Sequence, residues 1–132
     1  MTWIDGQAAA SSPLRTPLDV VRVSGYPDDA VVLRVCGELD LSTAPHLARH
    51  LRHHLDANPC RTEFVIDLSG VSFLGATGIA ALIDAARDAD LRGCRFAIIG
   101  CQPIFVRILD IVGAREMLNV LPLDLNRDQR AR

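Results

Sequence analysis

TEFVIDLSGVSFLGATGIAALIDAARDADLRGCRFAIIG, residues 62–100, decides how this chain folds. Its first seven residues form a nearly continuous apolar run, the composition of a strand covered on both faces. Ile79, Leu82, Ile83 and Ala86 then share one stripe at helical spacing, and CRFAIIG, residues 94–100, closes the unit as a second buried strand. A strand, a helix and a strand in that order imply parallel neighbours joined by a right-handed crossover. Asp67 to Gly70, and on through Gly78, reads as the loop between the first strand and its helix.

On the N-terminal side, DVVRVSGYPDDAVVLRVCGEL, residues 19–39, holds two β-branched runs joined by Tyr26-Pro27-Asp28-Asp29. That turn-rich tetrad predicts an antiparallel hairpin. After Asp40 the period changes. Ser42 or Thr43 suits an N-cap and Pro45 suits a first helical turn, while Ala44, Leu47, Ala48, Leu51 and Leu55 recur at helical spacing until near Pro59. Pro103 and Gly113 frame a third helix, IFVRILDIV, and EMLNVLPL, residues 116–123, supplies a last short strand. The expectation is an α/β fold: one domain over 18–122 with a mixed, mostly parallel sheet opened by the hairpin, carrying three or four helices. Residues 1–17 and 123–132 read as a flexible leader and tail.

With 132 residues, 49% hydrophobic and 23% charged, the chain has the size of one globular domain. A formal net charge of −2, spread without blocks, gives no footprint for nucleic acid or an anionic membrane. No basic and apolar leader precedes the domain, and no apolar run nears the roughly 18 residues that span a bilayer, so the cytoplasm is the expected compartment. All 14 basic residues other than histidine are arginine. Without lysine there is no Walker loop, no Schiff-base chemistry and no receiver-domain lysine. No nucleophile stands at a recognisable spacing from a base, so neither an enzyme nor a cofactor is expected.

Thr77 is a lone hydroxyl in a bare turn, Gly75-Ala76-Thr77-Gly78, at the start of a helix. Two readings stay open. Thr77 caps that helix, or the glycines clear space around an outward hydroxyl that another protein approaches. Glu38 and Asp40 stand where carboxylates favour the amides that open the first helix. Asp67, near the end of an apolar strand, is expected to accept hydrogen bonds from the glycine-rich loop and hold its shape. His46, His50, His53 and His54 share an arc roughly 125° from the leucine stripe of their helix and read as solvent-facing, with no metal site expected. Cys36, Cys60, Cys94 and Cys101 lack zinc spacing. Cys94 and Cys101 bound one strand and are too far apart to bond, whereas Cys60 and Cys94 open two parallel strands and form the possible redox pair. The third helix is apolar on more than one face, the pattern of burial beneath a terminal segment or of contact with a partner or a second copy.

V-C-G-E-L-D-L-S-T-A followed by V-I-D-L-S-G-V-S-F-L-G-A-T-G-I-A-A-L resembles the STAS domain family over residues 18 to 122, and in particular its small stand-alone bacterial anti-sigma-factor antagonists. The lysine-free, alanine- and arginine-rich composition fits a GC-rich bacterial genome. The resemblance implies a non-enzymatic switch. Such a protein binds an anti-sigma factor of serine/threonine kinase type, releases a sigma factor, and is turned off when that kinase phosphorylates a hydroxyl after the third strand. Position by position, Thr77 takes the acceptor place and Gly78 the following glycine, while Gly75 stands where the family has Asp and Ala76 where it commonly has Ser. The implied partner surface comprises Glu38, Asp40, Gly75, Ala76, Thr77 and Gly78. The alternative within the family is an accessory module of a transporter or lipid-trafficking complex, not phosphorylated.

Overall fold

The computed structural model describes residues 18–27, 29–58 and 61–122. The expected leader, the expected tail and Cys60, and with it the Cys60–Cys94 pairing, lie outside the described residues. In chain order the elements are β1 (Asp19–Val23), β2 (Ala30–Leu39), α1 (Ala44–Ala57), β3 (Glu63–Leu74), α2 (Ala76–Leu91), β4 (Arg95–Ile99) and α3 (Pro103–Ile111). They build one four-stranded sheet in the order β1-β2-β3-β4. β1 pairs antiparallel with β2, and β2, β3 and β4 run parallel. The hairpin and the crossover unit are thus both present. The expected last strand shrinks to one parallel bridge between Ile98 and Val120. Asn119 turns left-handed at φ 52°, so only its carbonyl and the Leu121 amide bond to Ile98, at 3.1 and 2.9 Å.

The core lies on one face of the sheet. Val31, Leu33 and Val35 of β2, Phe64, Ile66 and Leu68 of β3 and Ile98 of β4 pack against Leu47, Leu51 and Leu55 of α1, Leu82 of α2 and Leu109 of α3. The run at 62–68 is therefore an alternating strand rather than one buried evenly on both faces. Val65 and Asp67 point away from the core and are half-buried. There the Asp67 carboxylate lies 3.5 Å from the Arg34 guanidinium on β2 and accepts the Ser69 amide at 2.9 Å. It fixes its own strand and its neighbour. The expected hydrogen bond from the segment after Asp67 is thus present at Ser69, but that segment is strand rather than loop, and Asp67 makes no bond to Gly75–Gly78 among the described residues.

β3 also outruns its expected end. Residues 69–74, read above as loop, continue the ladder with β2, but the register slips twice: Arg34 pairs Asp67 and Cys36 pairs Gly70, then Gly37 pairs Val71 and Glu38 pairs Phe73. Each slip places one extra residue on β3 and bends the pair. The buried positions consequently recur every third residue, at Leu68, Val71 and Leu74. Because β1 pairs with β2 no further than Cys36, and β4 with β3 no further than Asp67, the bent ends of β2 and β3 project beyond the rest of the sheet.

Arg92, at the end of α2, links the helices through carboxylates of Asp56 at 2.7 Å and Asp88 at 2.9 Å. The histidine arc on α1 is less open than its angle implies: His53 is exposed, but His46, His50 and His54 are half-buried. Burial lowers the pKa of His50 and His54 below the ordinary 6.5, and neighbouring cations add to it, His46, Arg49 and His53 for His50, and His53, Arg22 and His50 for His54. The folded chain therefore binds these protons less readily than the unfolded one. Their contribution is complete above about pH 6.5 and is lost as pH falls through the lowered folded values. Acidification from pH 7 to pH 5 should lower Tm, and His50→Gln/His54→Gln should flatten that dependence by about 1–3 °C, the scale set by a few tenths of a kcal/mol at partly exposed groups. Calorimetry across that range checks it, and an identical slope in the double variant would refute it.

Candidate functional site

The projecting ends of β2 and β3 deliver the N-termini of α1 and α2 to one edge. The Gly75 amide donates to the Leu39 carbonyl at 2.8 Å, so the Glu38–Asp40 segment and the Gly75–Gly78 segment are brought side by side. Two segments from distant parts of the sequence thereby become one surface.

On the α1 side, the cap falls to Asp40, one of the two carboxylates expected to favour these amides, and not to the side chain of Ser42 or Thr43. Thr43 precedes the helix but makes no side-chain cap bond into it. Asp40 does that work one turn earlier: its Oδ1 accepts the amides of Ser42 and Thr43 at 3.0 and 3.1 Å and the Ser42 hydroxyl at 2.8 Å. Thr43 Oγ1 reciprocates by accepting the Asp40 amide at 3.0 Å, and it donates to the Glu38 carbonyl at 2.6 Å. This is the geometry of a capping box, with Asp and Thr in the paired places. The Ser42 hydroxyl first of all, with the two amides and the Thr43 hydroxyl, holds the Asp40 carboxyl below its ordinary 3.8 despite opposing desolvation. Asp40 is a fixed anion at neutral pH. Its stabilising role is present above about pH 3.8 and lost as pH falls through the lower folded value.

On the α2 side, Gly75 is the N-cap, with extended backbone and no side-chain cap bond. Thr77 is the second residue of the helix, exposed, and its hydroxyl makes no hydrogen bond among the described residues. Of the two readings of this hydroxyl, capping is excluded by position. The glycines also act differently from expectation. Gly78 is buried, and a β-carbon there would stand 2.8 Å from Leu39 Cβ and 3.1 Å from the Leu39 carbonyl oxygen. At Gly75 it would stand 3.1 Å from the Phe73 ring and 3.4 Å from the same carbonyl. Both glycines thus let α2 close onto β2, and they leave Thr77 outward through the helix rotation rather than by clearing a space around it. Ala76 is exposed beside Thr77.

Two residues that the sequence reading passed over frame this edge. Leu41 is 76% exposed and Phe73 50%, each next to a segment of the site. Their signal was present: Leu41 stands between two short polar residues in D-L-S, and Phe73 follows Ser72 directly before Leu74 in S-F-L-G, where one strand face cannot bury both. No arginine occurs between residues 35 and 48 or between 62 and 86, so Glu38 and Asp40 meet no cation from these segments. The edge is apolar, anionic and centred on one open hydroxyl. Cys101, just beyond β4, is buried, and that burial pushes its thiol up to about 11, away from nucleophilic chemistry.

A one-sided α/β sheet thus brings two helix N-termini and an unbonded hydroxyl to one open edge. The STAS domain family model matches residues 21–129, and the chain belongs to that family. A protein of Mycobacterium tuberculosis named "putative anti-anti-sigma factor" is 30% identical over 94 residues, covering 70% of this chain and 63% of its own length, so this chain spans less than two thirds of that relative. The crystal structure of an anti-sigma factor antagonist from Mycobacterium paratuberculosis is similar with a TM-score of 0.67 and 27% identity, over 83% of this chain and 91% of that one. The fold also recurs in murine Solute Carrier 26 family member A9, an anion transporter, with a TM-score of 0.65 and 17% identity over 75% of this chain and 17% of that one, a likeness of fold alone. Among the described residues no helix is long and apolar enough to cross a membrane.

Proposed function

We propose that this protein is a cytoplasmic, non-enzymatic anti-sigma-factor antagonist that binds an anti-sigma factor of serine/threonine kinase type and is switched off by phosphorylation of Thr77. The observation that carries the reading is the exposed, unbonded Thr77 hydroxyl on the second residue of α2, beside Leu41, Phe73 and the anionic Glu38–Asp40 segment. The names of the mycobacterial relatives support the partner class. Within the proposed surface, Ala76 and Thr77 meet the partner, Glu38 and Asp40 border it, and Gly75 and Gly78 shape it from beneath.

The helix N-terminus gives the switch its form. An anion there is favoured by about 0.3–1 kcal/mol, so a phosphate bringing about −1.5 to −2 charge leaves α2 folded. What changes is the outer surface, which gains bulk and a strongly hydrated dianion in place of a small hydroxyl. The decisive experiment mixes the protein with the anti-sigma factor encoded near it and follows release of the sigma factor, then adds ATP and maps phosphate by peptide mass. Release with phosphate on Thr77 supports the proposal. Absence of any complex sinks it in favour of a transporter or lipid-trafficking module, and phosphate found only elsewhere sinks the assignment of Thr77.

Gly75 adds a sharper expectation, because the aspartate that family members carry at this position is missing. Restoring it by Gly75→Asp asks only that the exposed Phe73 ring edge give way by a few tenths of an ångström. If that carboxylate orients or activates the acceptor hydroxyl, Gly75→Asp should raise the phosphorylation rate of Thr77 by at least about tenfold, at the low end of positioned acid–base effects. An unchanged rate would show that the kinase needs nothing from this position.

A further inference from the structure

The outer face of α3 is more apolar than a solvent-facing helix requires. Phe105 and Leu109 fasten α3 to the core, while Ile104 is 63% exposed, Ile111 81% and Val112 59%, with Ile108 half-buried between them. At 100° per residue Ile104, Ile108 and Ile111 lie within an arc of about 60°. A stripe this narrow has the form of a seam for another helix. Arg107 and Asp110 follow one flank of it. Arg107 has no ion-pair partner among the described residues, and the Asp110 carboxylate reaches Arg115 only at 3.9 Å.

We infer that this stripe joins two copies of the chain, with their α3 helices antiparallel about a two-fold axis. The flanking charges select that occupant and that direction. With the helices centred between Ile108 and Leu109, Arg107 of each copy comes level with Asp110 of the other on the same side of the seam, forming two ion pairs by symmetry. A parallel pair would place the Arg107–Asp110 flanks of the two copies on opposite sides of the seam, where neither meets an opposite charge. In the antiparallel arrangement Ile104 meets the Ile111 to Gly113 end of the second copy, where Gly113 has open space around its α-carbon. The contact is isologous and closes at two copies. One short helix per copy buries little area, so the dimer dissociates at moderate dilution.

Sedimentation equilibrium of the full chain from about 10 µM to about 1 mM, the range in which small interfaces come apart, tests this. The wild type should pass from monomer to dimer. Ile111→Glu should weaken association at least about tenfold with Tm unchanged, since that side chain contributes little to the core. Arg107→Asp alone should also weaken it, and Arg107→Asp/Asp110→Arg should restore it, because a reversed pair then faces a reversed pair. A monomer at every concentration overturns the inference. So does a dimer indifferent to Ile111→Glu, or a double variant as weak as the single one.

Discussion

Thr77→Glu is expected to weaken binding of the anti-sigma factor by about 30- to 1,000-fold, while Thr77→Ala stays within about threefold of wild type. The interval is the about 2–4 kcal/mol that a charge costs when it is enclosed at an interface without a partner, at 1.4 kcal/mol per factor of ten. The effect belongs to the interface rather than to the fold. Thr77 is exposed and its oxygen accepts nothing and donates to nothing among the described residues, so removing it leaves no buried group stranded. A carboxylate in the first turn of α2 is, if anything, slightly favoured by the helix end. Titration calorimetry for binding, paired with a melting curve for each variant, separates the two. Because Glu38 and Asp40 already make this edge anionic, a partner with cations here would bind Thr77→Glu more tightly. That outcome, or equal affinity, would reject phosphate as an off-switch.

Much of the fold was legible because its elements obey simple periods. The leucines of α1 recur at helical spacing and are buried, and the βαβ unit follows from order alone. What escaped obeyed a different period. Leu68, Val71 and Leu74 are buried every third residue because two bulges each add a residue to β3, and a spacing of three is neither strand nor helix, so the segment resembled a loop. The Arg34 partner of Asp67 was missed for a related reason. A strand with one half-covered face keeps enough apolar residues on it to hide its alternation, and only the β2 register reveals Arg34 beside Asp67. In the site, Thr77 could be singled out from its setting, but whether it capped or projected depended on where α2 begins, a matter of one or two residues that propensity does not resolve. The capping role passed to Asp40, whose partner Thr43 stands three residues on in a box with Thr in place of the usual Glu or Gln.

Gly78→Ala should destabilise the fold by about 1–3 kcal/mol, the usual cost of an added methyl in a packed site, and lower Tm by about 4–12 °C. Helix propensity argues the other way, since alanine gains up to about 1 kcal/mol over glycine within a helix. Overlap wins because the added carbon would stand 2.8 Å from Leu39 Cβ and 3.1 Å from the Leu39 carbonyl oxygen, and neither is the loose end of a side chain. Leu39 is fully buried, and its carbonyl also receives the Gly75 amide, so β2 cannot yield without losing that bond. Truncating the neighbour does not help. Leu39→Ala retains the β-carbon that causes the clash and should by itself cost about 2–5 kcal/mol, so in the double variant the losses should add rather than cancel. If α2 relieves the overlap by moving away from β2, it carries Thr77 with it, and binding should fall along with stability. A Gly78→Ala protein that melts at or above the wild-type temperature would show that α2 does not sit against Leu39 in solution, and the edge built from Glu38, Asp40 and Thr77 would lose its physical basis.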